Sequence, residues 1–151
     1  MYDLEKAKDD FPWTRMSDQD AIDWGVADML PEDGTPIGWF DGLLPGWGDI
    51  IHDGLERIDA IISDSACDVR LHIEQVKEKW GTLRFYVSFS DKDGEGVYGT
   101  EWARRVTDVI HEMEDATGKV CAFCGRKDGL KWRRGWVHVS CDECEDEHVR
   151  R

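Results

Sequence analysis

Val69-Arg70-Leu71-His72-Ile73-Glu74 and Leu83-Arg84-Phe85-Tyr86-Val87-Ser88-Phe89 decide the architecture of this chain. Apolar and polar side chains alternate in both runs. Successive side chains of a strand point to opposite faces, so alternation marks a strand with one face on a core. Glu78-Lys79-Trp80-Gly81, between the runs, reads as the turn of an antiparallel hairpin. Leu83, Phe85, Val87 and Phe89 are expected to face inward, with Arg84 and Tyr86 outward.

Helical patterns flank the hairpin. Downstream, a polar, glycine-bearing loop over 90–99 leads to Thr100, a helix cap with Glu101 in the first turn. Trp102, Ala103, Val106, Val109, Ile110 and Met113 then form one apolar stripe, and Gly118 closes the helix. Upstream, a helix is expected from about 49 to 63, where Ile50, Ile51, Leu55, Ile58, Ile61 and Ile62 gather on one side. Residues 31–48 hold glycines and prolines around Trp39, Phe40 and Trp47. A mere linker would lack those aromatics, so this loop should pack. Ser17 opens another expected helix, with Ile22, Val26, Met29 and Leu30 on its apolar face and Pro31 at its end. Residues 1–16 read as a short helix followed by an irregular Phe11-Pro12-Trp13 stretch.

Four of the five cysteines form two C-x-x-C pairs, Cys121/Cys124 and Cys141/Cys144, separated by 16 residues. That interval falls within the C-x₂-C-x₁₅₋₂₀-C-x₂-C pattern of zinc sites. Gly125 supplies the backbone freedom a metal knuckle needs. Two disulfides are the alternative, opposed by the odd cysteine count and by the acidic, apolar-poor start, which reads as no secretory signal and places the chain in the cytoplasm. Four thiolates fill a tetrahedral shell, so the expected Zn²⁺ is structural. His138 and His148 flank the second pair and are read as neighbours rather than ligands; Cys67 is read as an ordinary buried thiol at the start of a strand rather than a fifth ligand. Between the pairs, Leu130 and Trp132, a Lys-Arg-Arg-Gly bend, then Trp136, Val137 and Val139 make a short hairpin. An acidic helix follows Cys141. Knuckle, hairpin and helix in that order describe a treble clef more than an all-β zinc ribbon. The expected fold class is therefore α+β, an antiparallel hairpin packed with three helices. An acidic domain over 1–118 would carry a zinc-binding module over 119–151.

Charge narrows the function. The 151 residues carry 33 acids and 19 bases, a net charge of −14. Residues 1–64 hold sixteen acids against four bases, whereas 119–140 hold six bases against Asp128 alone. No apolar run approaches the ~20 residues of a membrane span. An acidic field repels nucleic acid and favours basic partners. The leading reading is thus a non-enzymatic protein-binding factor, presenting an acidic face on which Trp13, Trp24, Trp39 and Trp47 serve as anchors, in the extreme as a mimic of nucleic acid. The alternative is a nucleic-acid contact through Arg126, Lys127, Lys131, Arg133 and Arg134, with Trp132 or Trp136 stacking on bases. A metal-dependent nuclease comes third. The segment between the cysteine pairs holds one histidine and no second metal-binding cluster, so no catalytic residue is assigned.

The block Lys77-Glu78-Lys79-Trp80-Gly81-Thr82-Leu83-Arg84-Phe85-Tyr86, followed by a helix and the two cysteine pairs, resembles a family of small uncharacterised bacterial and phage proteins. They carry a K-E-K-[aromatic]-G-x-L-R-[aromatic]-Y strand and a cysteine-rich end. The similarity spans about residues 43–148 and implies the same fold in a mobile-element setting; the acidic protein-binding reading then takes the form of a phage-encoded inhibitor or regulator of a host protein. Members often finish the metal motif with C-x-x-H; here that position is Cys144.

Overall fold

The computed structural model describes residues 1–97 and 99–149; Tyr98 and the last two residues of the expected 119–151 module, Arg150 and Arg151, lie outside them. The helices are α1 (Ala7–Asp10), α2 (Asp18–Asp23), α3 (Gly48–Ile62), α4 (Glu101–Thr117) and α5 (Asp142–His148). The strands are β1 (Arg70–Lys79), β2 (Thr82–Ser90), β3 (Leu130–Arg133) and β4 (His138–Cys141), and single 3-10 turns lie at Leu4–Lys6, Pro12–Thr14, Ala27–Met29 and Pro45–Trp47. The fold is α+β, with two antiparallel two-stranded sheets, β1–β2 and β3–β4. Among the described residues no helix is long and apolar enough to cross a membrane.

The first hairpin is longer than the alternation alone indicates. β1 pairs with β2 down to Lys79–Thr82, with a register shift between Ile73 and Gln75. That bulge reverses the parity of the strand: Val69 and Ile73 are buried before it, and Val76 packs on the core after it. The sequence alternation lapses there although the strand continues. The turn contracts to Trp80 and Gly81, with φ of 56° and 82°. Positive φ at both central residues is what the tightest hairpin loop requires, and Trp80 bears the cost that glycine avoids. Glu78 Oε1 accepts from the Gly81 amide at 2.8 Å and holds the turn. Leu83, Phe85 and Phe89 are buried and Val87 packs on the core, while Tyr86 is exposed.

α3 and α4 cover the inner face. α3 contributes Ile51, Leu55, Ile58 and Ile61; α4 contributes Ala103, Val106, Val109, Ile110 and Met113. They approach closely at Gly54, where an added Cβ would lie 2.2 Å from Met113 Sδ. The 31–48 loop packs as expected: Phe40 is fully buried and meets Phe85 edge-on at 5.1 Å, and Trp47 is fully buried at the start of α3. α4 also closes the outer edge of β2. Thr117 Oγ1 accepts from the Leu83 amide at 3.0 Å, and Glu114 Oε2 accepts from the Phe85 amide at 3.1 Å. Those strand donors would otherwise have no protein partner.

The expected helix from Ser17 to Leu30 is a correction. Ser17 does cap α2, with a reciprocal capping box to Asp20, but the helix ends at Asp23. Gly25 takes φ +68°, its amide bonds Ile22 O, and the Val26 amide bonds Ala21 O. This is a Schellman stop, for which Gly25 itself is the sequence signal. The proposed apolar face does not exist, and Ile22 and Met29 are 60% and 73% exposed.

Val109 is 4% exposed between α4 and the core. Val109→Asp leaves a charge there without a partner and should lower stability by about 4 kcal/mol, read as a fall in the thermal midpoint. An unchanged midpoint would contradict the packing described.

Candidate metal centre

The cysteine-bearing segment follows α4 directly. Gly118 ends the helix and Val120 joins the main core, so the first pair is anchored before it turns. The Cys121 amide bonds Arg126 O at 2.8 Å and the Gly125 amide bonds Cys121 O at 2.9 Å, with Gly125 at φ +78°. This is a tight knuckle that glycine permits. β3 and β4 pair from Leu130–Cys141 to Arg133–His138, and β4 delivers Cys141 to the start of α5, whose first turn carries Cys144. Knuckle, hairpin and helix follow the treble-clef order.

The four sulfurs of Cys121, Cys124, Cys141 and Cys144 lie within 4.8 Å of one another, and Cys124 Sγ is 3.9 Å from Cys141 Sγ. A tetrahedral ion with metal–sulfur bonds near 2.3 Å has sulfur–sulfur edges of about 3.8 Å. The cluster is compatible with a metal such as zinc, and its donors fit that ion. Burial raises the Cys121 thiol, but backbone donors from Cys124, Cys141 and Phe123 outweigh it and bring it to about 7. Burial, with the neighbouring thiols, pushes Cys144 up, and burial also raises Cys124. Cys121 is thereby the more easily ionised of the shifted thiols, and metal binding must displace protons from Cys124 and Cys144. Cys67 stands apart from the cluster, partly buried, with its Sγ 3.7 Å from Val69 O.

Neither histidine belongs to the cluster. His148 stacks on Phe123 at 4.9 Å. His138 is 2% exposed; its Nδ1 donates to Trp136 O at 2.7 Å, and its Nε2 lies 2.7 Å from Glu145 Oε2. Ser140 Oγ donates to the same Glu145 oxygen at 2.7 Å, and Arg133 Nε donates to Ser140 Oγ at 2.9 Å. This buried Arg133–Ser140–Glu145–His138 network stitches β3 and β4 to α5, and sequence reading missed it. Glu145 looks like one more acid of a solvated helix. The available signal was the polar pair His138 and Ser140 beside Val139 on a short strand, which demands a buried partner.

The basic hairpin is largely committed to the same helix. Arg126 pairs with Asp128 at 3.4 Å and Glu143 at 3.7 Å. Lys131 and Arg133 reach Asp142 at 3.0 and 2.9 Å. Among the described residues, Lys127 and Arg134 carry no ion pair. Trp132 is 59% exposed on one face and covers Gly81 with the other, where an added Cβ would meet its Cζ3 at 2.7 Å. Of the four candidate anchor tryptophans, Trp47 and Trp39 are corrections: both are buried, because the loop between α2 and α3 folds into the core. Trp13 is half-buried and donates to Asp59 at 3.0 Å. Trp24 is 46% exposed and meets Trp39 edge-on.

The fold and cluster define an α+β protein whose C-terminal treble clef gathers four cysteine sulfurs. Comparison of the chain with family models, with curated proteins and with solved structures finds no match in any of the three.

Burial raises the Glu145 carboxyl, but His138, Ser140 and Arg133 outweigh it and hold it below its ordinary 4.5. A depressed carboxyl stabilises above its unfolded value and loses that contribution as pH falls through the folded one. Glu145→Ala should cost about 3 kcal/mol near neutrality by stranding His138 and removing the acceptor of the Ser140 hydroxyl, while Arg133 keeps Asp142. On acidification below 4.5 the melting curves of the two proteins should converge. Parallel curves down to the acid limit would refute the role of this carboxylate.

Proposed function

We propose that this chain is a zinc-stabilised, non-catalytic protein-binding factor of a reducing compartment, acting on a basic host or cognate protein through its acidic half. The four gathered sulfurs support the structural ion. A four-thiolate shell has no open position for water or substrate, so zinc here serves to hold the knuckle, β3–β4 and α5 together. Acid distribution supports the partner class: residues 16–42 hold seven acids and no base, and Trp24 and Met29 are exposed among them. Apolar anchors in a field of one sign favour a protein of the opposite sign. The nucleic-acid reading loses ground because Arg126, Lys131 and Arg133 already face the acids of α5. Affinity for phosphate is chiefly electrostatic, and the whole chain is at −14.

Metal content tests the first half. Protein purified without chelator should hold one zinc per chain; Cys121→Ser should lose it and raise hydrogen exchange over 119–149, whereas Cys67→Ser should keep it. Four thiols paired as disulfides, or no zinc, would end that reading. For the second half, a low-salt gel shift with duplex and single-stranded nucleic acid should show no retardation. Retardation sensitive to Lys127→Ala and Arg134→Ala would replace the protein-binding reading with the nucleic-acid one.

A further inference from the structure

The β1–β2 sheet has unequal edges. The outer edge of β2 is capped by Thr117 and Glu114, while β1 pairs with β2 alone. A groove of about 520 Å³ runs beside β1, lined by Gln75, Val76 and Lys77 of the strand and by Trp24, Val26, Met29 and Trp39 opposite. A sheet face shows every second side chain. Three consecutive residues in the lining therefore mean that the strand turns its backbone edge toward the groove. The apolar wall is not buried by the fold: Met29 is 73% exposed and Trp24 46% exposed. Asp23 and Asp28 adjoin these two side chains in sequence, within a segment that holds no base.

We propose that this groove receives an extended segment of the partner protein, added as a third strand along β1. Its apolar side chains would sit against Trp24, Val26 and Met29, with lysine or arginine side chains turned to the surrounding acids. The inference rests on the protein-binding reading above and gives that partner a chemistry. Strand addition uses the free main-chain groups of an edge for affinity and side-chain pockets for selectivity. Charge selects the occupant. The lining itself holds one acid, Asp41, paired with Lys8, and one base, Lys77; a second copy of this chain carries −14 and a nucleic acid carries phosphate, and the base-free acidic segment over 16–42 opposes both.

The probe is a fluorescein-labelled ten-residue peptide of alternating valine and lysine, titrated with the full-length protein and read by anisotropy. Saturable binding is expected, weakened about tenfold by the double change Trp24→Ser/Met29→Ser and several-fold by Asp23→Asn/Asp28→Asn. Asp23, Asp28 and Met29 are exposed, so Asp23→Asn/Asp28→Asn and Met29→Ser should melt as wild type does; Trp24 also meets Trp39 edge-on, so Met29→Ser alone, expected to weaken binding several-fold, keeps the test independent of that contact. An alternating valine–glutamate peptide should not bind. Of two peptides N-methylated on all valines or on all lysines, the one blocked toward β1 should lose binding. The groove is overturned if the Trp24/Met29 variant binds as wild type does. Salt-sensitive binding that persists there leaves the acidic protein-binding reading standing, while absence of binding under all conditions removes its support as well. Equal binding of both N-methylated peptides overturns strand addition. Equal binding of the glutamate peptide overturns the choice of a basic partner. Concentration-dependent dimers abolished by Trp24→Ser/Met29→Ser would give the groove to a second copy instead.

Discussion

The architecture turns on one main-chain contact. The Gly46 amide, just before α3, donates to Ala122 O at 2.8 Å, inside the first cysteine knuckle. An added Cβ at Gly46 would lie 2.0 Å from Cys121 O, so only glycine lets the two backbones meet. The knuckle is thereby fixed to the start of the helix whose other residues build the main core. Gly81 performs the same service at the hairpin turn under Trp132, where an added Cβ would also lie 3.3 Å from His138 Cα. Held at two points, the small module borrows rigidity that its own few apolar side chains cannot supply.

This geometry explains the concentration of unusual residues in the Lys77–Tyr86 block. Glu78 closes the turn, Trp80 accepts a left-handed backbone, Gly81 admits Trp132, Thr82 lies against Gly118, and Leu83 takes its edge bond from Thr117. One tight turn joins the hairpin, the end of α4 and the cysteine module. So many simultaneous structural constraints suffice to make the block distinctive as a sequence.

Much of this was legible from spacing. Period two located the inward face of β2, period 3.6 located the stripes of α3 and α4, and the cysteine interval named the four clustered sulfurs. What escaped depended on single residues that act against the pattern. The bulge at Glu74 hid half of β1 by reversing its parity. Gly25 cut α2 short although apolar residues continued at helical spacing. Trp39 and Trp47 lie in the acidic half that the charge reading turns toward a partner, yet the loop that carries them packs as expected and takes both into the interior. Glu145 was masked by the acids around it; only its distance to His138 and Ser140 distinguishes it.

The Gly46–Ala122 contact also orders events in time. Joining those two segments closes a long loop, and loop-closure entropy must be spent before the contact gives anything back. The β1–β2 hairpin needs only a two-residue loop, and α4 follows it closely in sequence. These local pieces can assemble first, giving the knuckle a surface on which to dock. Loop-closure entropy therefore favours assembly from the middle of the chain outward, with the cysteine module docking after the hairpin and α4.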